Sequence, residues 1–314
     1  MKEPLIVLTG PTAVGKTKLS IALAKAAGAE IISADSMQVY RHMDIGSAKI
    51  TPEEMDGVRH YLVDELEPSE EFHVVRFQQM AKTAMKEIRA RGRIPMLVGG
   101  TGFYIQAVVR DIDFTENERS PYREELARLA EEKGASYLHG LLAEVDPESA
   151  AAIHENNEKR VIRALEFYQL TGKKISGHNE EQRERQSPYN CAYFVLNDDR
   201  ERLYRRIGER IDRMLEDGLV EEVERLRRMG CHRDMVSMKG LGYKEILAFL
   251  EGECTLPEAV EILKRDTRRF AKRQLTWFRR EQDVLWIDKQ DYGYDEELIL
   301  AHMMEILRER KVIG

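Results

Sequence analysis

The chain has 314 residues, with 49 lysines and arginines against 56 aspartates and glutamates, and its formal net charge is −7. Hydrophobic residues make up 42% and charged residues 33%, which excludes a disordered or fibrous chain and allows a sizeable core. The three cysteines, Cys191, Cys231 and Cys254, lie too far apart for a disulfide framework or a cysteine-rich zinc site. No stretch is long and apolar enough to span a membrane. We therefore expect a cytoplasmic protein.

The first third of the chain alternates predicted strands and helices. Short apolar runs predict buried strands at residues 5–8, 30–33 and 94–98. Helical spacing of apolar residues predicts one helix that ends before Gly28 and another over residues 72–91. Alternation of this kind favours parallel pairing, so we expect an α/β sheet with helices on both faces.

The middle of the chain has a different pattern. Residues 115–188 contain helical patterns, at 120–133, 136–144 and 158–170, and no convincing strand. We therefore predict a helical insertion domain at residues 115–188 within a core formed by residues 1–114 and 189–314. Strands are predicted again at 191–196 and 284–287, with a helix over 200–217 between them.

Another helix is predicted to begin at Thr255, with a capping box, and its segment 264–280 carries eight basic residues and one acid. That segment alone is +7, so a polyanion would meet a positive local field despite the acidic total.

A phosphate-binding loop (P-loop) follows the first strand. The pattern G-x-x-x-x-G-K-[ST] is matched by Gly10, Pro11, Thr12, Ala13, Val14, Gly15, Lys16 and Thr17. Backbone N–H groups, the helix N-terminus and Lys16 would bind a phosphate chain, and the Thr17 hydroxyl would bind Mg²⁺. The fold class predicted is thus a P-loop NTPase-like parallel sheet with a helical insertion. The strand at 94–98 is followed by Gly99, Gly100 and Thr101 without a carboxylate, which weakens an NTPase interpretation.

Two further residues are candidates on local grounds. Asp35 ends the second strand, at the edge where parallel sheets bind ligands, and it suits a general base, a magnesium ligand or a cap on Gln38. Arg210 lies beside the apolar stripe of its helix and has no acid three or four residues away. Arg202, Arg205, Arg206 and Arg213 each have such an acid, Glu209 in the case of Arg206. Arg210 therefore needs an anion from elsewhere, either a ligand or a distant acid such as Asp35.

Five motifs in order carry a family resemblance. They lie at residues 9–17, 32–41, 44–49, 97–104 and 240–245. Together they closely resemble the bacterial tRNA dimethylallyltransferases, also called tRNA isopentenyltransferases, over nearly the whole chain.

The resemblance implies transfer of the dimethylallyl group of dimethylallyl diphosphate to N6 of adenosine 37, which lies 3′ of the anticodon, in tRNAs that read codons beginning with U. It further implies Mg²⁺ as cofactor and diphosphate as the leaving group. Separately, we expect a monomer.

Site roles follow from the same resemblance. Asp35 becomes the catalytic base, and Arg210 binds the departing diphosphate. On chemical grounds we also expect the Thr12 hydroxyl, which lies inside the P-loop, to stabilise the leaving oxygen. The resemblance places tRNA contacts at these residues: Asp35, Ser36, Met37, Gln38, Thr101, Arg123, Lys159, Arg160, Val161, Ile162, Arg163, Lys239, Gly240, Leu241, Gly242, Tyr243 and Lys244. We expect Gly240 and Gly242 to let an RNA strand approach the backbone closely, and Tyr243 to stack on a base.

Three alternatives stay open at this stage. An adenylate isopentenyltransferase would prenylate a free nucleotide, although such an acceptor needs neither the insertion nor the basic helix. A small-molecule P-loop kinase would use the loop for ATP. An RNA-binding adaptor would carry the loop without catalysis.

Overall fold

The computed structural model describes residues 2–114 and 120–314. Contacts divide the chain into two compact units: unit 1, Met1–Val109 with Ser187–Gly314, and unit 2, Arg110–Gln186. The insertion predicted from the sequence begins at Thr115, which lies outside the described residues.

Unit 1 contains a six-stranded sheet in which every neighbouring pair is parallel. Its strands are β1 (Glu3–Thr9), β2 (Ala29–Ala34), β3 (His60–Tyr61), β4 (Ile94–Gly99), β5 (Tyr189–Asn197) and β6 (Val284–Asp288). Their order is β3-β2-β4-β1-β5-β6, so β1 lies between β4 and β5. The predicted parallel α/β sheet is confirmed.

Helices connect and cover these strands. In chain order they are α1 (Lys16–Ala27), α2 (Pro52–Met55), α3 (Val74–Ala90), α4 (Gly102–Val109), α5 (Pro121–Lys133), α6 (Ala135–Val145), α7 (Pro147–Ala152), α8 (Glu158–Thr171), α9 (Ile175–Glu184), α10 (Arg200–Glu216), α11 (Leu219–Arg228), α12 (Tyr243–Leu250), α13 (Leu256–Phe278) and α14 (Glu296–Glu309). Short 3₁₀ helices lie at Ser237–Lys239 and Lys289–Tyr292. Among the residues described, no helix has the length and apolar content that a membrane span requires.

The core of unit 1 lies on both faces of the sheet. The central strands are continuous apolar runs with no polar face, as in Leu5, Ile6, Val7 and Leu8 of β1, which are fully buried. The helix boundaries follow from local signals. Gly28 ends α1 in the left-handed conformation, and Thr255 opens α13 with the predicted capping box.

The sheet register sets the position of the candidate site. Thr9 and Ala34, the last residues of β1 and β2, both pair with Gly99 at the end of β4. The Thr9 hydroxyl also donates to the Gly99 carbonyl oxygen at 2.7 Å. The segments that follow these three strands therefore begin side by side at the carboxyl edge of the sheet, where open α/β sheets bind ligands.

Unit 2 is helical in its described residues and has its own hydrophobic core. The buried members of this core come from α5 to α8: Leu126, Ala130, Leu138, Leu142, Ala150, Val161, Ile162, Ala164 and Leu165. The buried Asp146 carboxylate caps α7 at Ser149 and accepts the N–H and hydroxyl of Ser176 in α9.

Candidate active site

The P-loop joins β1 to α1 in a conformation that requires its glycines. Gly10 and Gly15 have φ angles of 146° and 96°, and a Cβ added to Gly10 would lie 2.6 Å from the Leu196 carbonyl oxygen. The Lys16 ammonium donates to the carbonyl oxygens of Gly10 and Pro11 at 2.9 and 2.8 Å. Its charge is thus held across the loop that would bind a phosphate chain.

The pKa of Lys16 is strongly perturbed. Burial and the nearby Arg210 charge lower the pKa of Lys16 from 10.5 to about 7, while Asp35 acts in the opposite direction. Two cations therefore lie close together at the P-loop, with one carboxylate near them. An electropositive site of this kind favours a polyanion.

Asp35 lies directly after β2, beside the P-loop. Its carboxylate lines one cavity together with Lys16, Thr17, Gln38 and other side chains. Asp35 Oδ1 accepts the N–H of Met37 at 2.8 Å, and no group in residues 2–114 or 120–314 donates a hydrogen bond to Oδ2. The observed turn contact is to the N–H of Met37, so the alternative in which Asp35 caps Gln38 does not hold. Oδ1 is therefore held by a hydrogen bond, and Oδ2 is available to accept one.

Arg210 reaches the same place from α10. Its Nη1 lies 3.5 Å from the Thr12 hydroxyl oxygen, and within the described chain it has no ion pair with any acid, Asp35 included. Burial lowers the pKa of Arg210, although the nearby Asp35 opposes this effect. A guanidinium keeps its proton in proteins, so a positive charge lies against Thr12. The structure brings the three predicted catalytic residues, Asp35, Thr12 and Arg210, together.

Gln274 is a site residue that the sequence analysis did not single out. Its Oε1 accepts the Thr12 N–H, and its Nε2 donates to the Gly100 carbonyl oxygen, both at 2.9 Å. The side chain is 7% exposed, and a Cβ on Gly100 would lie 2.2 Å from Gln274 Nε2. The carboxamide therefore joins the P-loop to the end of β4. The available signal was an amide on the inner face of an otherwise basic helix.

Two other cations near the loop were also missed. Lys289 Nζ and Arg206 Nη2 lie 3.1 and 3.4 Å from the point where a Cβ on Gly15 would stand. The predicted pairing of Arg206 with Glu209 is wrong. The Glu209 carboxylate lies 3.7 Å from Arg205 instead, because Arg206 points toward the loop and away from the solvent-exposed side of α10.

The first group of predicted tRNA contacts follows β2. Ser36, Met37 and Gln38 are partly buried, and Gln38 is held by the Ser33 hydroxyl and the Ala48 carbonyl oxygen. Thr101 lies beside them, because its N–H donates to the Ala34 carbonyl oxygen at 3.2 Å. These residues therefore surround Asp35.

The second group of predicted contacts is residues 239–244. Lys239 and Lys244 are exposed and Leu241 is partly buried. The backbone of Gly240 is approached by the Met37 side chain, since a Cβ there would lie 2.6 Å from Met37 Cε. Gly242, with φ 95°, packs against Gly46. Protein atoms therefore fill the space on the Cβ side of both glycines, and the close approach of an RNA strand to their backbone stays a prediction.

Tyr243 is fully buried, so the predicted stacking of its ring on a base is wrong. Its hydroxyl donates to Glu222 Oε1 at 2.8 Å. The buried Glu222 carboxylate also accepts the N–H groups of Asp44, Ile45 and Gly46 at 2.8–3.1 Å. This carboxylate has four donors around it, and it holds the loop after β2 against α11 and α12.

The remaining predicted contacts lie in unit 2. Lys159 and Arg160 are exposed at the start of α8. Arg123 and Arg163 both contact the buried Glu166 Oε2, at 2.7 and 3.4 Å. Val161 and Ile162 belong to the core of unit 2, so their side chains are not an RNA-contact surface. A basic patch on α5 and α8 is present, formed by Arg123, Lys159, Arg160 and Arg163.

The chemistry of the site fits a magnesium ion carried by a phosphate ligand. Mg²⁺ usually takes one or two protein oxygens and completes its shell with water and phosphate oxygens. The exposed Thr17 and the carboxylate of Asp35 line the same cavity. Within residues 2–114 and 120–314 no cluster of three or more His, Cys, Asp or Glu side chains could form a complete protein-made site.

Comparisons with known proteins cover nearly the whole chain. The model of the family described as IPP transferase matches residues 38–281. A protein from Lachnoclostridium phytofermentans, named tRNA dimethylallyltransferase, is 64% identical over 312 residues and matches 99% of both chains. A protein of the same name from Bacillus velezensis is 55% identical and matches 91% of both chains.

Solved structures agree with these relatives. The tRNA isopentenylpyrophosphate transferase of Bacillus halodurans is 47% identical, with a TM-score of 0.74 over 99% of this chain and 98% of that one. A eukaryotic dimethylallyltransferase, described as acting on tRNA, is 30% identical, with a TM-score of 0.80 over 91% of this chain and 74% of that chain. The matched sequence, the parallel sheet and the site at its carboxyl edge show that this chain belongs to the IPP transferase family.

Proposed function

We propose that this protein is a tRNA dimethylallyltransferase that moves the dimethylallyl group of dimethylallyl diphosphate to N6 of adenosine 37, 3′ of the anticodon, in tRNAs that read codons beginning with U. One observation carries the proposal. The cationic P-loop, with Thr12 and Arg210 at it, lies beside the carboxylate of Asp35. Only the end of strand β4 lies between the strands that lead to the loop and to Asp35. The loop binds the donor's leaving group and the carboxylate receives the acceptor's proton.

On the donor side, the P-loop backbone and Lys16 bind the diphosphate. Thr12 and Arg210 face the oxygen that leaves the allylic carbon, where negative charge grows in the transition state. Thr17 would hold Mg²⁺ together with the donor's phosphate oxygens. When bound, that ion neutralises part of the diphosphate charge.

On the acceptor side, Asp35 serves as the base. The exocyclic amine of adenine is a weak nucleophile, because its lone pair is delocalised into the ring. Asp35 Oδ2 accepts one N6 proton as N6 forms its bond to the allylic carbon and the carbon–oxygen bond to diphosphate breaks. The magnesium-ligand role for Asp35 remains an alternative. A carboxylate held to the ion would not be free to take that proton.

The acceptor is RNA in this proposal. A base in the anticodon loop can be flipped out of its stack and inserted beside Asp35, with Ser36, Met37, Gln38 and Thr101 around it. Lys239 and Lys244 on unit 1 and the basic patch on α5 and α8 of unit 2 contact the anticodon arm. The exposed basic side chains of α13 contact phosphates. A cytoplasmic monomer stays a prediction.

The test uses labelled dimethylallyl diphosphate with undermodified tRNA, with adenosine monophosphate, and with ATP in parallel reactions. Label in tRNA at adenosine 37 is the expected result. Label in the free nucleotide would identify an adenylate isopentenyltransferase, and phosphate release from ATP without prenylation would identify a kinase. No turnover in any reaction would favour an RNA-binding adaptor.

Asp35→Asn tests the base. We expect kcat to fall by about 10²–10⁴, the usual contribution of a general base, with diphosphate affinity changed less than about threefold. Asp56→Asn is the matched control, because Asp56 is an exposed carboxylate paired with Lys25 on the surface. Equal kcat values for Asp35→Asn and Asp56→Asn would contradict the assignment.

A further inference from the structure

One face of α10 carries three arginines, because residues four apart lie on the same side of a helix, and two of them reach the P-loop. Arg202 pairs with Asp198 at 3.5 Å and lies over the Tyr294 ring at 3.7 Å. Arg210 reaches Thr12. Arg206 lies between them on the helix and next to Gly15, the second glycine of the loop.

Arg206 lacks the acidic partner that its neighbours have. Within the described residues no carboxylate lies within ion-pair distance of its guanidinium, whereas Arg202 and Arg205 each have one. An arginine that is partly buried and points at a loop of backbone N–H groups needs an anion to complete its hydrogen bonds. The protein itself does not provide that anion in the part of the chain that the structure describes.

A second cation strengthens the same requirement. Lys289 is 4% exposed, donates to the Val14 carbonyl oxygen at 3.4 Å, and lies 3.8 Å from Glu296. That carboxylate is shared, since Glu296 also pairs with Lys18 at 2.8 Å. Burial and the Arg206 charge lower the pKa of Lys289, and Glu296 opposes them. Of the two cations beside Gly15, Lys289 therefore shares its acid with Lys18, and Arg206 has no acid within ion-pair distance among the described residues.

The two ends of the loop differ in what faces them. Asp35, the proposed base for the acceptor, acts electrostatically on Lys16 and Arg210. Because Arg210 lies at Thr12, the Thr12 end of the loop is the end near the acceptor. The charges that act on Lys289 are Glu296, Arg206, Asp198 and Arg202, which identifies the Gly15 end as the one facing α14 and the start of α10. A diphosphate that leaves toward Thr12 would have its terminal phosphate at the Gly15 end.

We propose that Arg206 binds the terminal phosphate of the donor, the one not bonded to the prenyl group, and thereby selects a diphosphate over a monophosphate. This inference rests on the proposed prenyl transfer. Its guanidinium would make paired hydrogen bonds to two phosphate oxygens, a geometry that lysine cannot reproduce. Lys289 supports the same end of the loop through its contact with Val14.

The experiment measures the affinity of inorganic diphosphate and of orthophosphate by calorimetry. Arg206→Gln should weaken diphosphate binding by about tenfold or more, the usual loss for a charged hydrogen bond, and change orthophosphate binding less than about threefold. Arg206→Lys should lie between wild type and Arg206→Gln. In turnover, KM for dimethylallyl diphosphate should rise more than kcat falls, and tRNA affinity should not change.

Arg205→Gln is the matched control on the same helix, because Arg205 is exposed and, among the described residues, pairs only with Glu209. If Arg206→Gln binds diphosphate as Arg205→Gln does, or loses orthophosphate equally, the inference is overturned. Should Arg206→Gln unfold, Arg206→Lys decides the same question. If the wild-type protein binds diphosphate and prenylates tRNA, and Arg206→Gln does both equally well, only this inference is refuted. Wild-type protein that binds no diphosphate would refute the proposed function.

Discussion

Gln274 provides the sharpest test of how the site is assembled. Its carboxamide accepts the Thr12 N–H in a partly buried hydrogen bond and donates to the Gly100 carbonyl oxygen in a buried one, both at 2.9 Å. Gln274→Met keeps the length and volume of the side chain and removes both hydrogen bonds. Two backbone groups are then left without partners.

The expected loss follows from those two groups. A buried polar group without a partner costs about 1–3 kcal/mol, so we expect Gln274→Met to lower the free energy of unfolding by about 2–4 kcal/mol. Thr12 lies at the mouth of the site, which favours the lower half of that range because water can reach it. We also expect kcat to fall about tenfold, since Thr12 loses the contact that fixes it relative to β4.

Urea unfolding and steady-state prenyl transfer measure the two effects. Thr276→Val is the matched control, because the Thr276 hydroxyl makes an exposed bond to the Lys272 carbonyl oxygen on the same helix. We expect that control to cost less than about 0.5 kcal/mol, as surface substitutions usually do. Equal stability and equal kcat in Gln274→Met and Thr276→Val would refute the role of the carboxamide.

Three other predictions concern charge. With a pKa of about 7, Lys16 is charged below pH 7 and loses its proton above it. The affinity for diphosphate should therefore fall by up to about tenfold per pH unit above pH 7, relative to Lys16→Arg, whose charge persists. Parallel pH profiles for wild type and Lys16→Arg would contradict this prediction. Glu222→Gln leaves several hydrogen-bond donors poorly paired and should lower the free energy of unfolding, measured in urea, by about 2–4 kcal/mol. Tyr243→Phe removes one of these donors and should lower it by about 1–2 kcal/mol. Equal losses for the two variants would contradict the structure. Lys272→Gln on the exposed face of α13 should reduce the slope of log affinity for tRNA against log salt by about 0.7–0.9, and an unchanged slope would remove this residue from the phosphate contacts.

Local patterns predicted most of the elements that form the site. The strand, P-loop and helix at residues 3–27 depend on neighbouring residues only, and so does the helix that carries Arg210. Asp35 was placed correctly because parallel strands bring their carboxyl ends to one edge. Sequence reasoning works where the physical cause lies within one helix or one strand and its connections.

Elements without a periodic pattern were missed. Helix α4 has the sequence GFYIQAVV and buries Tyr104, Ile105, Ala107, Val108 and Val109, so it has no polar face to reveal a helical period. Strand β3 has only two residues, and it pairs because β2 lies beside it. The local sequence therefore contains no pattern that would predict α4 or β3.

Side-chain placement failed where distant segments decide it. Tyr243 is an aromatic residue that follows Gly242 and precedes Lys244, and its local sequence suggested an exposed ring that stacks on a base. Its burial depends on Glu222 and on the loop of residues 44–46, roughly two hundred positions earlier in the chain. Gln274 and Lys289 reach the P-loop from more than two hundred positions away. Such contacts follow from the topology of the sheet, which no local pattern contains.

The place of β1 in the sheet has a consequence for synthesis. β1 is made first and can pair with β4 early, but its other neighbour, β5, emerges only after all of unit 2 has been translated. At about 5–20 residues per second, a strand with a central apolar run therefore keeps one open edge for on the order of ten seconds on the ribosome. Open apolar edges template aggregation, so nascent chains stopped before residue 189 should depend on chaperones more than the full chain does.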